Sequence, residues 1–176
     1  MAKITLKNKP LTIAVSACLL GEWVRYDGGH RSCCFVTETL ANLFDLVAVC
    51  PEVAVGMGVP RPMIHLVDQG GDVRVVRLDD PRHDETERLQ QYGNRMVAEL
   101  AGVCAYVFKS RSPSCGLSSP LSPSGVAPGV FAQVMRQAWP EMPMVEEGQL
   151  LDEQAQRRFI AQAVAYGQHR MGEMKV

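Results

Sequence analysis

The chain predicts an α/β fold in which a mostly parallel sheet carries helices on both faces. Three observations predict it. Short β-branched apolar runs have strand length, the segments between them place apolar residues at helical spacing, and this alternation recurs in both halves of the sequence. Residues 11–17 (LTIAVSA) read as the first strand, 33–45 as a helix, and 46–50 (LVAVC) as the second strand. Residues 84–100 read as a charged amphipathic helix, Gly102 precedes an apolar strand at 103–108, and 129–138 form a further helix. Between the halves, 63–68 and 73–78 make a small hairpin excursion turned by Gln69-Gly70-Gly71-Asp72. Residues 152–168 form a C-terminal helix that packs Phe159, Ile160, Val164 and Tyr166 on the body, with 171–176 frayed beyond it. The Ser/Pro-rich segment 118–128 reads as loop. Right-handed crossovers between such strands give a Rossmann-like three-layer sandwich.

With 176 residues, 47% hydrophobic composition and no Gly/Ser linker or repeat, residues 1–176 are expected to form a single domain. A net charge of -1 offers no general attraction for phosphate backbones or anionic lipid, so neither a membrane nor a nucleic-acid partner is expected. No run approaches the roughly 18 apolar residues of a membrane span. Residues 1–10 are polar and lead directly into the first strand, unlike a signal peptide. The reading is a cytoplasmic protein whose six cysteines are reduced thiols or metal ligands.

In open parallel sheets, ligands bind beyond the carboxyl ends of the strands. Three cysteines obey that rule: Cys18 follows the first strand, Cys50 ends the second, and Cys115 lies in the loop after 103–108. Each sits in a turn-rich loop whose backbone N–H groups are free to donate to sulfur. Three thiolates without short paired spacing do not suit structural zinc, which is closed by four ligands. They suit a cubane cluster with one open iron. Position alone leaves the alternative standing, since a free cysteine is also a common small core residue. Cys104 reads as core, and core packing is the reading for Cys33 and Cys34 at a helix start. His30, His65, His83 and His169 are too scattered for a zinc site, and no P-loop, GxSxG or HExxH motif occurs.

The same loops carry SACLLG (16–21) with RYDGG (25–29), CPEVAVGMGVPRP (50–62) and KSRSPSCG (109–116), and FIAQAVAY (159–166) follows in order. Together these motifs resemble the thiouracil desulfidase family. The resemblance implies a 4Fe-4S cluster with three protein ligands, on Cys18, Cys50 and Cys115, and one open iron. It also implies a catalytic glutamate and serine, which fall on Glu52 and Ser112. Many relatives read CLLGxxCRYDG, and Val24 stands here at the second cysteine of that motif.

On this resemblance the substrate is a small thiolated nucleobase, free thiouracil first, converted to uracil and sulfide without net redox change. Thiocarbonyl sulfur is soft and suits an open, thiolate-supported iron. Glu52 would move the protons, and Ser112 would orient substrate or relay. Arg25, Tyr26, Asp27 and Arg61 read as loop-knitting groups. Two rival readings use the same cysteines: a non-catalytic iron-sulfur sensing module, and a metal-free enzyme carrying sulfur as a cysteine persulfide.

Overall fold

Alternation along the strands decides the layers. The computed structural model describes residues 3–6 and 9–173. Its strands are β1 (Thr5–Leu6), β2 (Lys9–Pro10), β3 (Thr12–Ser16), β4 (Asp45–Val49), β5 (Ile64–Gln69), β6 (Asp72–Arg77), β7 (Val103–Phe108), β8 (Ser119–Ser122), β9 (Val126–Ala127) and β10 (Met144–Glu146). The α-helices are α1 (Ala41–Leu43), α2 (Pro51–Ala54), α3 (Thr86–Glu99), α4 (Val130–Ala138) and α5 (Glu153–Glu173).

The central sheet runs in the order β10-β7-β3-β4, with every neighbouring pair parallel. All residues of β7 are buried, as a strand covered on both faces requires. On one face, Ile13, Val15 and Val107 pack with Leu40 and Phe44 and with Phe159 and Ala163 of α5. On the other, Ala14, Tyr106 and Phe108 pack with Met96 of α3 and with Phe131 and Met135 of α4. This is the expected three-layer sandwich. No helix among the described residues is long and apolar enough to cross a membrane.

Several boundaries differ from the sequence reading. The helix expected at 33–45 is a π-helical turn, Phe35–Leu40, that passes into α1, so β4 begins at Asp45. Helix α5 outlasts its expected end: Asp152 caps it by accepting from the Ala155 N–H at 2.8 Å, and it runs to Glu173. The fraying expected at 171–176 therefore does not begin at 171, and 174–176 lie outside the described residues. Gly167 brings this helix close to the sheet, since a Cβ there would stand 2.8 Å from Leu11 Cδ2.

The excursion is larger than a hairpin. β5 and β6 pair antiparallel around Gly70-Gly71, as expected, but β8 adds parallel to β5 and β9 adds antiparallel to β8. The result is a second, mixed sheet ordered β6-β5-β8-β9. Its core is Leu66, Val75, Leu89 and Val130, so it packs against α3 and the start of α4. Segment 118–128, expected as loop, supplies β8 and β9. Its strands are too short, and too rich in serine and proline, to show a period of two.

Candidate active site

The chain leaves β3 for β4 on one side and returns past β3 to β7 on the other, which places a topological switch point at the carboxyl ends of β3 and β7. Cys18 lies there, in the 3-10 turn Ala17–Leu20 closed by Gly21 in the left-handed region at φ 91°. Its carbonyl also accepts from the Arg31 N–H at 2.9 Å, which folds the following loop back over the strand end. Cys50 occupies the N-cap position of α2, with Pro51 and Glu52 in the first turn. Its Sγ approaches the Val24 carbonyl at 3.9 Å.

The loop that carries Cys115 is held by hydrogen bonds from several elements. Its N–H donates to Ser112 Oγ at 3.1 Å, and the Gly116 N–H donates to the Ser112 carbonyl at 2.8 Å. The first N–H groups of α4, unpaired within a helix, are used on the same loop: Val130 donates to the Pro113 carbonyl at 3.2 Å and Ala132 to that of Ser114 at 3.1 Å. Gly129 permits this approach, because a Cβ would stand 2.5 Å from the Ser114 carbonyl. Glu146, which ends β10, and Glu147, which follows it, clamp both sides. Glu146 accepts from the Leu117 N–H at 2.7 Å. Glu147 accepts from the Ser110 N–H at 2.6 Å and is paired with Lys109. Burial opposes ionisation of Glu147, but the bonds from Lys109 and Ser110 outweigh it and hold the carboxyl below its ordinary value.

The three cysteines line one cavity of about 520 Å³, together with Glu52, Ser112, Arg61 and Val24. All are free thiols. Burial, then the neighbouring Cys50, pushes the Cys18 thiol up to about 11. Burial also raises Cys50, and burial followed by Cys50 and Glu52 raises Cys115 furthest. Burial and neighbouring negative groups oppose ionisation of all three thiols, which would ligate a metal group as thiolates. Among the described residues, no three His, Cys, Asp or Glu side chains are grouped to hold one metal ion. Three thiols on the lining of one cavity fit a polynuclear cluster, whose ligands bind separate irons.

Glu52 is bound on both oxygens. Oε2 accepts from Arg61 Nε at 2.9 Å and from its second terminal nitrogen at 2.6 Å, while Oε1 accepts from Ser114 Oγ at 2.6 Å. Ser112 Oγ lies 3.1 Å from Ser114 Oγ. A hydroxyl has one proton, and Ser114 gives its own to the nearer carboxylate, so Ser112 donates to Ser114. The chain of bonds therefore runs in one direction, from Cys115 N–H through Ser112 and Ser114 to Glu52. It connects the cavity lining to a carboxylate through two hydroxyls.

The expected residues Cys18, Cys50, Cys115, Glu52 and Ser112 are thus brought to one cavity. Arg61, 8% exposed, knits loops as expected: besides Glu52, it donates to the carbonyls of Val24 and Gly58, both at 2.9 Å. Sequence reasoning missed Ser114, the buried neighbour in the same SPSC motif that touches Glu52 directly. Turn chemistry accounts equally for both serines, and only the tertiary contact separates them. It also missed His65, which lines the cavity from β5. Cys104 is core, Cys33 packs against the core, Cys34 is exposed, and none of the three lines the cavity.

A family model described as 2-thiouracil desulfurase matches residues 13–147. That span contains all three cysteine loops, Glu52 and Ser112. A solved structure of the [4Fe-4S]-dependent thiouracil desulfidase TudS is similar, with a TM-score of 0.60 and 27% identity over 80% of this chain and 93% of that one. No curated protein matches. With the family model covering more than half of the sequence and a similar solved structure agreeing with it in fold, the chain belongs to the 2-thiouracil desulfurase family.

Proposed function

We propose that the protein is a cytoplasmic enzyme that hydrolyses the thiocarbonyl of a small thiolated pyrimidine, thiouracil first, giving uracil and hydrogen sulfide without net redox change. The observation that carries this reading is the convergence of Cys18, Cys50 and Cys115 on one cavity whose wall also presents Glu52. Family membership and the likeness to an iron-sulfur desulfidase support it.

Cys18, Cys50 and Cys115 would hold a 4Fe-4S cluster by three of its irons. When bound, the cluster supplies a soft Lewis acid open to thiocarbonyl sulfur. The chain's own groups manage water and protons. Oε1 of Glu52 carries one hydrogen bond, from Ser114, and keeps acceptor capacity for a water in the cavity. Taking a proton from that water readies its oxygen for the thiocarbonyl carbon. A C–O bond forms, the C–S bond breaks, and the two water protons leave with sulfur. Ser112 and Ser114 form a route between the cavity and Glu52, and Arg61 fixes the carboxylate by its two bonds to Oε2.

The test is anaerobic turnover of 2- and 4-thiouracil by cluster-reconstituted protein, with metal-free protein as control. Thiocarbonyl absorbance should fall, with stoichiometric sulfide, in the reconstituted sample alone. Glu52→Gln should keep its iron and lose about 100-fold or more in kcat, the scale of acid–base catalysis. No turnover of either isomer at full cluster content would overturn the reading and favour a sensing module. Turnover by the metal-free protein would favour persulfide chemistry.

A further inference from the structure

The cavity has two unlike walls. The parallel sheet supplies the thiols, Glu52 and Ser112, whereas the second sheet supplies Met63, Ile64, His65 and Pro120. On that second wall His65 is the one side chain able to hydrogen-bond. It lies in β5 opposite Val76, and successive residues of a strand point to opposite faces. Leu66, 1% exposed, points into the second sheet's own core, so His65 faces the other way, into the cavity. Its Nδ1 is buried and has no hydrogen-bond partner. An atom so closed to solvent is equally closed to a ligand, and a proton on it would have no acceptor, so the ring serves the cavity through Nε2.

We propose that His65 is a specificity residue that hydrogen-bonds the polar edge of the bound heterocycle remote from its sulfur. The assignment rests on the desulfuration reading above. That chemistry requires the thiocarbonyl to face the cysteine wall. A planar pyrimidine so placed turns its opposite edge, with its N–H and C=O groups, toward the second sheet. Met63, Ile64 and Pro120 offer apolar contact for the ring, and His65 offers an imidazole nitrogen for that edge. With no acceptor for a proton on Nδ1, Nε2 carries the hydrogen and donates to a carbonyl oxygen on that edge.

The experiment compares wild type with His65→Phe, which keeps a ring of similar size, and with His65→Gln, which returns an amide nitrogen near the Nε2 position. KM and kcat for thiouracil are measured on reconstituted protein, and uracil affinity is measured by calorimetry on the same samples. Iron content and visible spectrum are checked for each. His65→Phe should retain its cluster, raise KM and weaken uracil binding about tenfold, as for one lost hydrogen bond, while kcat moves much less. His65→Gln should recover part of the affinity. Unchanged KM and uracil affinity in His65→Phe would overturn the assignment and leave the desulfuration reading intact. So would a fall in kcat alone. If His65→Phe does not fold or loses its cluster, His65→Gln decides, with a loss of uracil affinity of less than tenfold supporting the assignment and a larger loss opposing it. If wild type turns over no thiouracil yet binds uracil through His65, the desulfuration reading falls and the assignment stands; if it does neither, both fall.

Discussion

Arg61 donates to Glu52 Oε2 from two nitrogens, at 2.9 and 2.6 Å. Their side chains are 3% and 12% exposed, and Arg61 also holds the carbonyls of Val24 and Gly58. Removing one partner of a buried pair strands the other charge without solvent, which costs far more than the pair itself contributes. Arg61→Met should therefore destabilise the metal-free protein by about 3 kcal/mol in urea unfolding, and adding Glu52→Gln should return a substantial part of it. Equal and additive losses in the two single variants would contradict this. At this scale the sequence revealed residue types and left partners hidden. The three cysteines were legible because strand ends converge by topology. Glu52 and Ser112 came from motif resemblance. Ser114, Glu147 and His65 became visible only when segments 62, 37 and 11 or more residues apart met in space.

At the scale of elements, legibility followed length and burial. β7 was read to the residue because its six positions are apolar and buried on both faces. β10 has three residues and no visible period, yet it and the residue that follows it deliver the two carboxylates that clamp the Cys115 loop. Helix α4 was read correctly as a helix, but its use of free N–H groups on that loop was not foreseeable from its own sequence. Gly129 is where this docking is tested. An added methyl would meet the backbone of Ser114 and Pro113 at 2.5–2.8 Å, and backbone cannot yield as a flexible side chain can. Gly129→Ala should destabilise the protein by about 2 kcal/mol, as overpacking does. Gly102→Ala, with nothing within 4 Å of the new Cβ, should fall within about 0.5 kcal/mol of wild type in the same denaturation experiment.

For the whole molecule, the alternation of strands and helices was enough to predict the parallel sheet and its two covered faces. It did not predict the second sheet, because the pairing of Leu66 with Leu121 and of Val67 with Ser122 joins distant segments over only a few residues. The loops between these sheets have a further property: their backbone groups are bonded to protein. Cys18 O, Cys50 O, Cys115 N and Gly116 N each have a partner from the chain itself. Proteins that fold only on metal binding have no such framework. Stripping iron with a chelator should thus leave amide exchange at Cys115 and Gly116 slowed to within about threefold of the loaded protein, whereas a collapse of protection would mean that the cluster builds its own loops.

The brace that α4 and β10 place around Cys115 bears on how such a centre is supplied. A receptor already shaped before its cargo arrives spends little chain entropy on receiving it, so loading becomes an exchange between donor and acceptor, set by relative affinity and encounter. Such a polypeptide can be emptied and refilled without its loops being built again.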